Sequence, residues 1–291
     1  MSSSGINAVV MDRQSYEITE QVRRDQKYSL YLKDGEKYAP MPIGTVVQIF
    51  AGPAITTYRL HSNAQGLNIL IPPDAQEYIT VKVARPDQPA GQPELEAHLA
   101  TDASPSKPPR IITPHDSTDI PEEAECMTPL EWENFLQLNE DRKYYADEFV
   151  RRSESSIKAL PLKVDCDLVK AARLHSQNMA RQVFFSHVDP SGKTSNERIR
   201  AQTGAFSMTG ENIWQTQLRL VGRNGAEVPG TPDMQPAKQN APLLGEANLM
   251  KSPGHRHNIL QPPCTHVGVG IAWNESTHTI TLTQDFGGES N

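Results

Sequence analysis

The sequence predicts an α/β chain in two pieces, a small all-β module followed by a domain in which helices pack on a sheet. Three observations carry this. Short alternating strands fill the first 85 residues, eight prolines crowd the stretch from Pro86 to Pro121, and helical patterns ending in a β-hairpin occupy the rest. At 291 residues the chain is long for one typical domain and comfortable for two.

The opening module reads as β from its alternation. The runs GTVVQIFAG (44–52), TTYRLHS (56–62), GLNILIPP (66–73) and EYITVKVA (77–84) place apolar residues at every second position. Gly-Pro, Asn-Ala-Gln-Gly and Pro-Pro-Asp punctuate them as turns, and KYSLYLKDGEKYAPMP adds a strand and an Asp-Gly turn. This spacing suggests a small antiparallel sandwich over residues 1–85. His61 on one of these strands reads as a surface residue. Residues 86–125 have few large apolar side chains to offset their ordering entropy, so a partly extended linker is expected there.

The second piece, 126–291, is mixed. Thr128-Pro129-Leu130-Glu131 is a capping box with proline at the first helical position, so a helix starts there and is expected to run on through NEDRKYYADEFVRR. Asp165 caps a second helix in which Leu168, Ala171, Ala172, His175 and Met179 form one face. Residues 214–243, polar and rich in Pro and Gly, read as a long loop. At the end, HVGVGIAW (266–273) and TITLTQDF (279–286) alternate as a hairpin, with Val267, Val269, Ile271 and Trp273 on one face and Ile280, Leu282, Gln284 and Phe286 on another. Helices followed by a hairpin imply helices packed on a sheet.

Composition narrows the function classes. The formal net charge is −7 and no basic run interleaved with aromatics appears, so a nucleic-acid footprint is missing. The longest apolar runs fall far short of the roughly 20 residues of a membrane helix. MSSSGINAVVMDRQ has no basic stretch before an apolar core, so no signal peptide is readable, leaving retention inside the cell, export without a cleaved leader, or trimming. Cys126, Cys166 and Cys264 have neither zinc spacing nor a small-domain disulfide framework, and their odd number leaves at least one thiol unpaired within the chain.

Three polar islands interrupt the apolar scaffold: FFSHVDPSGKT (184–194) with His187, TGENIW (209–214) with Glu211, and SPGHRHNIL (252–260) with His255. Two imidazoles and a carboxylate suit a divalent cation such as zinc with a position open for water. The same trio also suits a general acid/base pair.

In order and spacing, the helix LKVDCDLVKAARLHSQNMARQ, these islands and the strands HVGVGIAW and ITLTQDFG resemble the CAP superfamily, the cysteine-rich secretory, antigen 5 and pathogenesis-related proteins, in its bacterial branch. The likeness covers about residues 136–287. It implies an α-β-α sandwich with a shallow cleft, in which His187, Glu211 and His255 match the family's cleft histidines and acid. Where relatives carry a further glutamate three residues after a tryptophan, this chain has Leu249 and Ser252. A metal at His187 and His255 would therefore be weakly held, and nothing in the sequence makes Glu246 a substitute. His175, Asn212, Arg256 and Ser252 are expected to support the cleft, Asn258 to hold a loop, and His257, at a variable position, to be exposed. His266 and His278 read as surface residues. The stretch YRLHSNAQGLNILIPPDAQEYITVKV of the first module resembles transthyretin-like or immunoglobulin-like modules of bacterial surface proteins.

The resemblance implies a binding protein for a lipid-like, glycan or peptide ligand, secreted or in the cell envelope, whose β module binds another protein or the cell wall. The competing reading is a hydrolase of peptide or cell-wall material with His187 or His255 as base and Glu211 as partner, although neither Ser186 nor Ser252 sits in a nucleophile-elbow pattern. An effector exported without a leader is a third reading.

Overall fold

The structure, a computed structural model, describes residues 6–52, 55–88, 94–102, 110–152, 154–220 and 230–288. The helices are α1 (Pro129–Tyr144), α2 (Glu148–Arg151), α3 (Cys166–Gln182), α4 (Ser195–Gln202), α5 (Gln235–Leu249) and α6 (Pro253–Leu260). The chain divides into two compact units. The first comprises residues 1–109, 147–158 and 252–257, and the second 110–146, 159–251 and 258–291.

The first unit holds β1 (Ile6–Asp12), β2 (Gln21–Val22), β3 (Lys27–Asp34), β4 (Lys37–Ala39), β5 (Val46–Phe50), β6 (Ile55–Arg59), β7 (Leu67–Leu70), β8 (Tyr78–Ala84) and β9 (Leu95–Thr101). They form two sheets, one ordered β1-β3-β4 with β7 also paired to β3, the other ordered β2-β9-β8-β5-β6. The period-two pattern sends Leu30, Leu32, Val47, Ile49, Ile69, Ile79, Val81 and Val83 into one core. Gly35 turns β3 into β4 with φ +57°, a left-handed conformation that glycine adopts without a Cβ clash.

Two boundaries differ from the sequence reading. Leu95, Ala97 and Leu99 alternate inside the stretch taken as linker and form β9, which pairs antiparallel with β8 along its length. Proline density on both sides hides a seven-residue strand, and residues 89–93 and 103–109 lie outside the described ones. The first long helix also stops at Tyr144. The residues after it belong to the first unit, where Glu148 receives the Arg256 guanidinium, with Nε at 3.1 Å from both carboxylate oxygens. The Arg256 guanidinium also lies over the Tyr78 ring, 4.6 Å from its centroid.

The second unit is an α-β-α sandwich. Its sheet, β10 (Lys163–Val164), β12 (Cys264–Asn274), β13 (Thr279–Gly288) and β11 (Met208–Gln217), runs in the order β10-β12-β13-β11 and is antiparallel except for β10 on β12. The Thr128 capping box starts α1, and the Asp165 carboxylate accepts Leu168 N–H to start α3. Register places Val269 opposite Gln284 and Ile271 opposite Leu282, so the two apolar sets of the hairpin share one face. Gly245 of α5 lies against Leu282 on that face, and α1 reaches it through Asn134. The other face belongs to α3. A Cβ at Gly268 would stand 2.0 Å from the Leu168 carbonyl carbon, and one at Gly270 would stand 2.2 Å from Arg173 N, so glycine lets the helix backbone rest on the strand.

Residues 235–243, expected as loop, form the first part of α5, while residues 221–229 lie outside the described ones. Lys238, Ala241, Pro242, Gly245, Glu246 and Leu249 recur at helical spacing and are buried; Pro and Gly within that stripe disguise it. Arg142 is fully buried and donates to the carbonyls of Leu160, Ile259, Gln261 and Cys264. Burial lowers its guanidinium to about 10. Cys126 and Cys166 form a disulfide, and Cys264 is a buried free thiol.

Candidate functional site

The α3-facing side of the sheet carries a compact polar cluster in the second unit. Glu211 on β11 and Asp285 on β13 are directly opposed, and α3 sets His175 over them. Because side chains alternate, the next pair, Asn212 and Gln284, points to the other face. There Asn212 donates to Gln284 at 3.1 Å and receives Asn258 at 2.9 Å, while Gln284 donates to Glu246 at 2.6 Å and to Asn134 at 2.9 Å. One dipeptide step thus divides a carboxylate layer on the α3 side from an amide layer on the other.

Glu211 is the hub. Its Oε1 lies 2.8 Å from His187 Nδ1 and its Oε2 receives Arg198 Nη2 of α4. His175 Nε2 is 3.9 Å from Oε2 and donates instead to the Ser186 carbonyl at 3.0 Å. Burial acts to raise the Glu211 pKa, but the His187 hydrogen bond and the Arg198 charge outweigh it and hold the carboxyl below its ordinary range. Asp285 is driven well above its range, first by burial and then by the Glu211 charge. Within the pair the fold thus favours the ionised form of Glu211 and the neutral form of Asp285. Burial keeps His175 below its ordinary value even though Glu211 favours its charged form.

An ionised Glu211 can only accept, so His187 Nδ1–H is the donor of this bond. The His187 side chain is half exposed whereas Glu211 is buried. The loop is fixed from below: Arg198 donates to the carbonyls of His187 and Lys193, and Asp189 accepts the N–H groups of Ser191 and Lys193 in the expected Asp-Pro-Ser-Gly turn. Val183, Phe185 and Val188 flank the imidazole in sequence as exposed apolar side chains. Val183 ends α3 with φ +54°, an uncommon conformation for a β-branched residue. A cavity of about 170 Å³ opens between α3 and α4, lined in part by His175, Leu174, Asp189 and Arg198.

The structure joins His187, Glu211 and His175, and sets Asn212 directly behind them. His255, Arg256 and Ser252 lie in the segment 252–257 of the first unit, where Ser252 O accepts Arg256 N–H in the first turn of α6. His257, expected exposed, is largely buried there, its ring stacked on His98. His266 and His278, expected at the surface, are half-buried. Arg198 and Asp285 were missed by sequence reasoning. Asp285 was legible as the residue after Gln284 in a strictly alternating strand, and Arg198 had no signal beyond the Thr194-Glu197 capping box ahead of it. Glu211 commits both oxygens within the protein, so a metal here would be held through His187 Nε2, with Glu211 orienting the ring from behind.

The sequence matches the cysteine-rich secretory protein family, CAP, over residues 137–286. It is 31% identical over 119 residues to the uncharacterized protein YkwD of Bacillus subtilis strain 168, a match spanning 41% of this chain and 38% of that protein. Among solved structures it is similar to an extracellular protein containing an SCP domain from Bacillus anthracis (15% identity, 99% of this chain and 87% of that one, TM-score 0.37). It is also similar to an outer surface protein of Borrelia burgdorferi (15% identity, 54% of this chain and 90% of that one, TM-score 0.37). With the matched region covering just over half of its length, the chain belongs to the CAP, or cysteine-rich secretory protein, family.

Proposed function

We propose that the CAP unit is a ligand-binding module of an oxidising compartment, outside the cell or in its envelope, and that His187 is the group its ligand meets. The observation that carries this reading is the commitment of both Glu211 oxygens, one to His187 and one to Arg198. The carboxylate orients the imidazole, and Arg198 offsets the charge that would otherwise stabilise an imidazolium during proton transfer. A ring fixed in this way offers a hydrogen-bond acceptor beside exposed apolar side chains, which suits an amphiphilic glycan, peptide or lipid headgroup. A weakly held divalent cation at His187 belongs to the same proposal.

The Cys126–Cys166 bridge supports that compartment, since disulfides persist where thiols are not kept reduced. Hydrolysis is the weaker reading. The Cys264 thiol is pushed up to about 12 by burial, and Ser186 Oγ accepts the Val188 N–H. The β module is proposed as the part that recognises a second protein or the wall. It carries an open polar groove of about 870 Å³ lined in part by Arg13, Arg23, Lys27 and Asp25.

The test is co-sedimentation of the full chain with purified peptidoglycan sacculi and with phosphatidylglycerol vesicles, the soluble fraction being analysed for released fragments. Binding that falls at least tenfold in His187→Ala, with no release, is expected. Release of fragments that disappears in both His187→Ala and Glu211→Gln would make the protein a hydrolase, and no sedimentation with either would refute an envelope ligand.

A further inference from the structure

A second cluster of ligating side chains belongs to the first unit. On β8 and β9 the pairs Thr80–His98 and Lys82–Glu96 are directly opposed, and alternation turns all four away from the core that Val81, Ala97 and Leu99 enter. His257 comes to the same face, its ring stacked on His98 with centroids 3.8 Å apart and flanked by Phe149.

Glu96 divides its two oxygens. Oε1 pairs with Lys82 Nζ at 3.1 Å, and Oε2 lies 3.4 Å from His98 Nε2 and 3.6 Å from His257 Nε2. None of these last contacts is a good hydrogen bond, yet they match the edge of a tetrahedral zinc site, which is about 3.3 Å for bonds of 2.0–2.1 Å. The three ligand atoms all lie within 4.8 Å of one another, and among the described residues no other set of three or more His, Cys, Asp or Glu side chains does this.

We infer that Glu96, His98 and His257 form a divalent-metal site of the zinc type, with the fourth position open to water. The two rings lie 26° from parallel, so binding requires them to splay until both Nε2 lone pairs meet the ion. His98 Nδ1 is held by Thr80 Oγ1 at 3.1 Å, which points Nε2 at the site in the way an outer partner orients a ligating histidine. Thr80 Oγ1 has two lone pairs, enough to accept both that N–H and Arg152 Nη2. His257 Nδ1 is buried without a hydrogen-bond partner, so neither ring nitrogen is satisfied within the protein. The side chains retain 25%, 16% and 11% exposure for Glu96, His98 and His257, which leaves an entry path.

Such an ion ties β9 to the start of α6 and is chemically separate from any ion at His187. The test is titration of the chelator-stripped full chain with ZnCl2 against a chromogenic competitor. One tightly bound equivalent is expected in the wild type, with affinity reduced at least a hundredfold in His98→Ala and in His257→Ala, about tenfold in Glu96→Gln, and unchanged in His61→Ala, an exposed histidine of the same unit. X-ray absorption at the zinc edge of the wild type needs no variant to fold, and two imidazole nitrogens in the first shell are expected. Absence of stoichiometric binding, an equal loss in His61→Ala, or a first shell without two imidazoles overturns the assignment.

Discussion

Replacing Gly268 by alanine adds one methyl group where α3 crosses β12. That carbon would lie 2.0 Å from the Leu168 carbonyl carbon and 2.1 Å from Val169 N, both backbone atoms that no rotamer change can move. Ordinary contact is roughly 3.5 Å, so α3 must retreat by about 1.5 Å. Leu168, on the retreating face, is fully buried. A buried leucine makes roughly 50 contacts of about 0.15 kcal/mol, and since a gap of 0.5–1 Å already forfeits a quarter to a half of them, a retreat of this size costs on the order of 4 kcal/mol. The total is about 4 kcal/mol, above ordinary overpacking and a large share of a typical stability. Trp132, Trp214 and Trp273 all lie in the second unit, so tryptophan emission in a urea titration reports on that unit. Gly204→Ala is the control, since a Cβ there meets nothing within 4 Å. A Gly268→Ala midpoint within about 1 kcal/mol of this control would refute the claim that helix and strand touch through glycine.

Three further outcomes are expected. Val183→Gly relieves the left-handed backbone at the end of α3 and raises stability by about 1 kcal/mol, read as a higher urea midpoint, and a lower midpoint contradicts the strain. Asp285→Asn removes a proton that the folded state holds more tightly than the unfolded one. The wild type has that contribution in full below the ordinary aspartate value and loses it as pH rises through the raised folded value, so the variant's relative stability should grow from pH 4 towards pH 8 and not the reverse. Glu211 slopes the other way in both proteins, because its lowered pKa gives stability that is lost as pH falls. Opening the Cys126–Cys166 bridge with Cys126→Ser and Cys166→Ser together releases a loop of 40-residue separation and should cost about 4 kcal/mol, measured by the same titration.

The framework was legible because alternation, capping boxes and the Asp165 cap are local signals, and each holds in the fold. His187 and Glu211 were legible because glycine and turn residues isolate them from apolar surroundings, and the two meet at 2.8 Å. What was not legible depends on pairing at a distance. Leu95–Thr101 has too few apolar residues to announce a strand between proline-rich flanks until β8 supplies its register. The α5 stripe contains Lys238, Pro242 and Gly245, none of which marks a buried helix face by type. His257 reads as a polar loop residue, since the residues that bury it come from β9 and α2, about 160 and 108 positions away. Arg198 and Asp285 join the cluster only through their contacts with Glu211 from other elements of the fold.

The most direct measurement is the tautomer of His187, read from long-range proton–nitrogen NMR of its ring and followed as soluble peptidoglycan fragments are added. The Glu211 hydrogen bond predicts a proton on Nδ1 throughout, with the Nε2 resonance shifting on addition and losing its shift in Glu211→Gln. A ring protonated on Nε2 in the free protein, or an Nε2 resonance indifferent to ligand while binding proceeds, would contradict a site in which Glu211 holds His187 out to meet its ligand.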